Sequence, residues 1–378
     1  MSAEFPSPSI PARLGLAQRV LPVYRVPFFE ALATTCTGGL GVFAGQPRPQ
    51  EAIESAERLA TARFFPAINR HFFNGKFYLC VQQGLIAWLE TWQPDVLILE
   101  ANPRYLSNPA AVRWMHQRGR PVIGWGLGAP GRLSGLRSAL RRKFMHTFDA
   151  LITYSQSGAA EYAALGYPDG RIFVAPNAAA ARPTAEPPAR PAHVQRPTVI
   201  FTGRLQARKR LDLLLRACAA LPVSLQPHLV IVGDGPERRP LQALAGHIYP
   251  SAEFTGALFG DELKPWLELA DLFVLPGTGG LAVQQAMAAA LPVIVAEADG
   301  TQADLVRAEN GWLVQPGDLA DLTTRLAQAL ADIPRLRQMG LQSYKIIAEE
   351  INLEAMVAAF GRAVACVMGG THAHSTGG

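Results

Sequence analysis

The chemistry most legible in this chain is a pair of cations and a glycine loop. Arg204 and Lys209 lie in FTGRLQARKRLDLLL (201–215), between a strand-like and a helix-like stretch. Two cations so placed can hold a diphosphate, Arg through a planar fork of donors and Lys as a point charge. A solvated basic turn has the same spacing. In PGTGGLAVQQAMAAALPVIVA (276–296), Gly277, Gly279 and Gly280 precede an alanine-rich helix expected from about Leu281 to Ala290. A helix start offers unpaired N–H groups and the positive end of its dipole, which suits a phosphate. An ordinary tight turn is the competing reading. VGDGPERRPL (232–241) adds Gly233 and Gly235, which permit close backbone approach or a tight turn.

The elements that must position these residues alternate in type. Strand-like runs LGLAQRV, GLGVFAG, DVLILE, PVIGWG, ALITYS and RIFVAP in the first half are separated by helix-like ones, including 78–92 and 108–117. The second half repeats the alternation with TVIFTG, LVIVG, AEFTG, LFVLPG, PVIVA and GWLVQPG. Such alternation predicts α/β architecture: two Rossmann-like doubly wound domains facing each other across a cleft. Ligands of such sheets bind outside the carboxyl ends of the strands. The domains expected are 1–177, a Pro/Ala-rich linker at 178–197, and 198–345. A C-terminal helix at 346–368 would pack back on the first domain, and 369–378 would be a disordered tail.

The chain has 378 residues, enough for two cores, and a net charge of +5 that weakly favours anionic ligands. No apolar run is long enough to span a bilayer, and the start has no apolar signal-like segment. The four cysteines, Cys36, Cys80, Cys218 and Cys366, form no CxxC pair, so neither zinc nor a disulfide framework is expected. A cytoplasmic protein follows as the expectation. The spread of charge and the lack of a recognition module argue against nucleic-acid binding. The run 130–148, PGRLSGLRSALRRKFMHTF, is basic and amphipathic. It suits peripheral contact with an anionic membrane, at the inner face of the cytoplasmic membrane, or a lipid diphosphate, or else is a solvated helix face.

Taken in order, the motifs across 201–318 resemble the donor-binding half of the family 4 (group 1) retaining glycosyltransferases of GT-B fold. LPVYRVPFFEAL and RIFVAPNA resemble that family's first domain. The resemblance implies transfer of a sugar from a nucleotide-diphosphate sugar, a UDP- or GDP-sugar, to a glycan or lipid-linked glycan. The nucleotide sugar is a co-substrate; no cofactor and no metal is implied. Arg204 and Lys209 would stabilise the leaving diphosphate. The N–H groups of Gly280 and Leu281 would cradle its distal phosphate, with Gly235 in the same donor site, and Gln285 would face the ribose. On the acceptor side Arg25 and Glu100 stand at strand carboxyl ends; Glu100 would bind an acceptor hydroxyl or help with its proton, or cap a neighbouring loop.

Two departures from the family pattern stand out. The family's two glutamates, eight residues apart, are replaced by Gly277 and Gln285; Glu297 and Asp299, in the next loop, either replace the first of them or simply face water. The histidine often found after the fourth strand is absent from GWGLGAPG, and His116 and His146 lie in helical stretches with a structural role expected. Two further readings remain: a sugar-nucleotide epimerase or hydrolase of the same fold, and a nucleotide-sugar-binding subunit without turnover.

Overall fold

The computed structural model describes residues 9–51, 53–128, 135–298 and 301–371. The chain divides into one unit of Met1–Ala179 with Leu353–Gly378 and another of Ala180–Asn352.

In the first unit, strands β1 (Leu14–Val20), β2 (Leu40–Gly45) and β3 (Arg63–Pro66) are followed by a hairpin, β4 (Ile68–Phe72) and β5 (Leu79–Gln83). Then come β6 (Val96–Glu100), β7 (Val122–Gly126), β8 (Ala150–Thr153) and β9 (Ile172–Val174). The sheet runs β3-β2-β1-β6-β7-β8-β9, and all its pairings are parallel. Burial on both faces explains the continuous apolar strands. In β6, Val96 and Ile98 join a core with the helices Val26–Thr35 and Leu353–Thr371, while Leu97 and Leu99 join the opposite core.

The helical reading of 78–92 is half right. Its first part is β5, paired antiparallel with β4, and the helix begins only at Leu85. Gly84, at φ +85°, makes the break. Alternating burial along β5 marks a strand period that the apolar composition hides.

The second unit contains β10 (Thr198–Thr202), β11 (His228–Val232), β12 (Glu253–Gly256), β13 (Leu272–Leu275), β14 (Val293–Ala296) and β15 (Gly311–Val314). Its order, β12-β11-β10-β13-β14-β15, is that of a dinucleotide-binding sheet, and all pairings are parallel. Strand order reverses between β10 and β13, where such sheets bind ligands.

Two expected boundaries shift. The stretch 178–197 is not a free linker over most of its length. Arg190 donates to the carbonyls of Leu267, Ala270, Ala289 and Ala290, and Arg337 Nε donates to Pro191 O at 2.9 Å. Those bonds strap it to the second unit. The C-terminal helix expected at 346–368 starts instead at Leu353 and runs to Thr371, after a separate helix Ile333–Glu349, and only the later helix joins the first unit's core. Asn352 is buried at the break and donates to the carbonyls of Ile347 and Ala348. The expected tail, 369–378, lies outside the described residues from 372 onward.

Candidate active site

Two loops meet at the switch point of the second unit. The first, 203–210, leaves β10 and carries Arg204 and Lys209; the second, 276–280, leaves β13 and opens the helix Leu281–Ala288. They touch through backbone. Thr278 N donates to Arg208 O at 3.0 Å, and Arg208 Nη1 donates to Thr278 Oγ1 at 3.2 Å. A Cβ on Gly277 would collide with Arg208 O and lie 2.7 Å from Lys209 Cα. No side chain fits there without moving the cation-bearing loop.

Lys209 reaches across this contact, and its Nζ lies against the Cα of Gly279, in the space a side chain there would take. It is half-buried and joins no ion pair among the described residues. Burial first, and then the neighbouring Arg208 charge, push its pKa down to about 8. Arg204 is exposed on the same loop, which Gly235 holds in place. Gly235 has φ +156°, and a Cβ on it would lie 2.9 Å from Leu205 N and closer still to Leu205 O. Gly235 therefore packs the β11 turn against the 203–205 loop.

Gly280 has φ −143° and ψ −34°, and no side chain caps the helix that follows. The first backbone bond of this helix runs from Gln284 N to Gly280 O at 3.2 Å. The N–H groups before it, Leu281 among them, have no intrahelical acceptor. Val283, Ala286 and Met287 are buried, while Gln285 stands exposed. A half-buried ammonium beside an uncapped helix start can hold a diphosphate.

The first unit has a pocket of its own, of about 950 Å³, at the carboxyl ends of β1, β6, β7 and β8. It brings together Arg25, Glu100, Arg104, Trp125, Arg141 and Tyr154. Arg25 is only 5% exposed, with Cζ 5.0 Å from the ring centres of both Trp125 and Tyr154. Glu100 Oε2 accepts from Arg19 N at 3.2 Å, so the carboxylate does join two strand ends. Burial pushes its pKa up, against the Arg19 N–H and charge that lower it.

Comparison with known proteins places this arrangement. A family model described as "Glycosyl transferases group 1" matches residues 196–332, and one described as "Glycosyl transferase 4-like domain" matches residues 12–178. The chain belongs to the group 1, family 4 glycosyltransferases. Its two parallel-sheet units are those of the GT-B fold. Sucrose-phosphate synthase from Thermosynechococcus elongatus covers 95% of this chain over 99% of its own, with a TM-score of 0.66 at 19% identity. At that identity the likeness speaks for the fold. A sulfoquinovosyl transferase of Arabidopsis thaliana is 37% identical over 145 residues, 36% of this chain and 27% of that protein. A GDP-mannose-dependent alpha-mannosyltransferase of Mycobacterium tuberculosis is 38% identical over 146 residues, 38% of this chain and 36% of that protein. The chain thus spans about a third of the length of these relatives.

In this chain the departures from the family pattern have physical grounds. Gly277 stands where a glutamate is usual because the 208–209 backbone occupies the space. Glu297 is exposed and accepts from Gln315 Nε2 at 3.4 Å; Asp299 lies outside the described residues. His116 is structural: Nε2 lies 2.9 Å from Asp149 Oδ2, and that carboxylate also accepts from Val122 N at 2.7 Å. His146 packs on Tyr167, ring centres 5.4 Å apart. Of the basic run 130–148, residues 130–134 lie outside the described residues; in the rest, Arg142 and Lys143 are exposed, whereas Arg141 lines the pocket. Sequence reasoning missed Arg208 as the tie between the 203–210 and 276–280 loops and the aromatic seat of Arg25. The signal for that seat was present: Trp125 and Tyr154 stand at or next to the carboxyl ends of adjacent strands.

Proposed function

We propose that this chain is a retaining glycosyltransferase that moves a sugar from a UDP- or GDP-sugar to a glycan or lipid-linked glycan. The observation that carries the reading is Lys209, a half-buried ammonium without an ion pair among the described residues, held beside Gly279 and the uncapped start of the helix Leu281–Ala288. The names of its relatives, a sulfoquinovosyl and a GDP-mannose-dependent mannosyl transferase, support sugar transfer. In the reaction the bond from the anomeric carbon to the leaving phosphate oxygen breaks. The acceptor oxygen bonds to that carbon on the same face, and its proton passes to the leaving diphosphate. Lys209 and Arg204 would stabilise charge growing on that diphosphate, without a metal or a protein nucleophile. Gln285, donor and acceptor both, would hold a ribose hydroxyl. Acceptors attached to lipid would be met at the inner face of the cytoplasmic membrane, with exposed Arg142 and Lys143 against anionic headgroups.

One observation favours a second reading. The packing at Gly277 removes a carboxylate the family usually has beside the sugar, as expected of a nucleotide-sugar-binding subunit without turnover. A thermal-shift screen against UDP- and GDP-sugars, followed by product analysis with acceptor extracts, separates the two. Stabilisation with new glycan supports transfer. Stabilisation with no product from any acceptor supports the binding subunit, and free sugar without product would indicate a hydrolase. No stabilisation by any nucleotide sugar overturns all three.

A further inference from the structure

The pocket in the first unit contains more cation than the fold uses. Among the described residues the Arg25 guanidinium neither donates a hydrogen bond nor joins an ion pair, and its Nη1 is buried. The rings of Trp125 and Tyr154 answer its charge, but they are poor acceptors for its N–H groups. Among the described residues Arg141 Nε, on the same wall, is also buried without an acceptor, as is Trp125 Nε1. The indoles of Trp88 and Trp114 lack acceptors too, in the apolar core away from the pocket, so the two guanidinium groups carry the argument. Arg104 adds an exposed cation. Among the described residues Glu100 is the one carboxyl on the wall; the Arg25 charge acts to lower its pKa, but it accepts from Arg19 N and forms no ion pair with any of the three arginines. Three cations and several unspent donors face a single carboxyl.

We infer that this pocket binds an oxyanion, a phosphate ester or a carboxylate, with Arg25 as its buried counter-charge. Burying a guanidinium without a partner is unfavourable, and a planar oxyanion or a phosphate matches its fork of donors. Resting on the glycosyltransferase reading, the oxyanion belongs to the acceptor, which is then a phosphorylated or uronate-bearing sugar. A neutral sugar leaves Arg25 unpaired and is disfavoured.

The test uses direct binding. The full chain carrying Arg204→Met and Lys209→Met, which removes the cations of the donor loop, is titrated calorimetrically with glycerol 1-phosphate, glucuronate and glucose at low salt. The expected result is that at least one oxyanion binds and glucose does not. Adding Arg25→Met should then weaken binding by about tenfold or more, the usual scale for a lost charged hydrogen bond. Binding of glycerol phosphate alone assigns a phosphate, and of glucuronate alone a carboxylate. No oxyanion binding, equal binding of glucose, or an unchanged Kd in Arg25→Met overturns the inference. Should Arg25→Met not fold, Arg104→Met carries the test: weaker binding supports the site and unchanged binding overturns it. No donor or turnover enters, so this site and the proposed transfer stand or fall separately.

Discussion

In the second unit Lys209 and Gly279 meet because two loops leave neighbouring strands, β10 and β13, and pack backbone on backbone. In the first unit Arg25 follows β1 but is seated on Trp125 of β7 and Tyr154 just beyond β8. The one site is made of short motifs, each holding its own turn and helix start. The other is made of single residues drawn from several strand ends. A phosphate needs only N–H groups and a cation, which loops supply locally. A pocket with a buried guanidinium needs aromatic faces that only the folded sheet brings together.

The sharpest test of this contrast is removal of Lys209, which should act on the reaction more than on the fold. Charge grows on the leaving diphosphate as the glycosidic bond breaks, so a fixed cation there acts mainly on turnover. Lys209→Met is expected to melt near the wild type and to lose about 3–4 kcal/mol of transition-state stabilisation, roughly a hundred- to a thousandfold in kcat. Losses from Lys209→Met and Arg204→Met should not add if both grip one diphosphate. Steady-state kinetics on a defined acceptor checks this; a wild-type rate in Lys209→Met would take the lysine out of the reaction and require the diphosphate to bind elsewhere. The same residue gives a pH signature. With its pKa near 8, donor affinity should fall as pH rises through that value, by up to about tenfold per pH unit, as the ammonium loses its proton. The effect on folding has the opposite sign. The unfolded chain holds this proton more tightly, with a pKa near 10.5, so the contribution to stability rises with pH between about 8 and 10.5. Donor titrations and urea unfolding across pH 7–10 separate the two.

The middle test strikes the contact between the 203–210 and 276–280 loops. Gly277→Glu restores the family's usual residue type but drives a side chain into Arg208 O and Lys209 Cα. Overpacking of this kind costs about 1–3 kcal/mol. The expected outcome is a lower Tm together with weaker donor binding, since the loop that carries Lys209 must shift. A variant that melts normally and binds the nucleotide sugar more tightly would mean that the loop has room for the carboxylate.

How far the sequence carried this picture differs between the two sites for the same reason. The β10–β15 strands and the Gly-to-helix turn at 280–281 were legible because each lies in one contiguous stretch whose apolar run or glycines set it. The 79–83 strand was not, because its alternation is masked by the apolar helix that follows Gly84. Arg25 was legible as a residue at a strand end, but its burial was not, since Trp125 and Tyr154 reach it only through the pairing of β7 and β8. Gly277 looked like a lost carboxylate. Its packing on Arg208 and Lys209 is long-range, and no local pattern announces it.

The smallest expected effect concerns Gln285. It stands exposed on the helix whose start faces Lys209, while its neighbour Gln284 is buried. If the ribose lies against that exposed position, the partner is a hydroxyl, which donates as readily as it accepts. Gln285→Glu keeps an oxygen acceptor at nearly the same place and loses only the amide donor. The added charge is solvated, so the helix neither gains nor loses packing. It also lies more than one turn from the helix start, where the dipole acts weakly. Donor binding should therefore stay within about threefold of the wild type, below the roughly 1 kcal/mol of an ordinary hydrogen bond. Calorimetry with the preferred nucleotide measures it. Complete loss of binding would mean that the amide donates to the nucleotide, and this end of the site would then read hydrogen-bond polarity and not simply tolerate it.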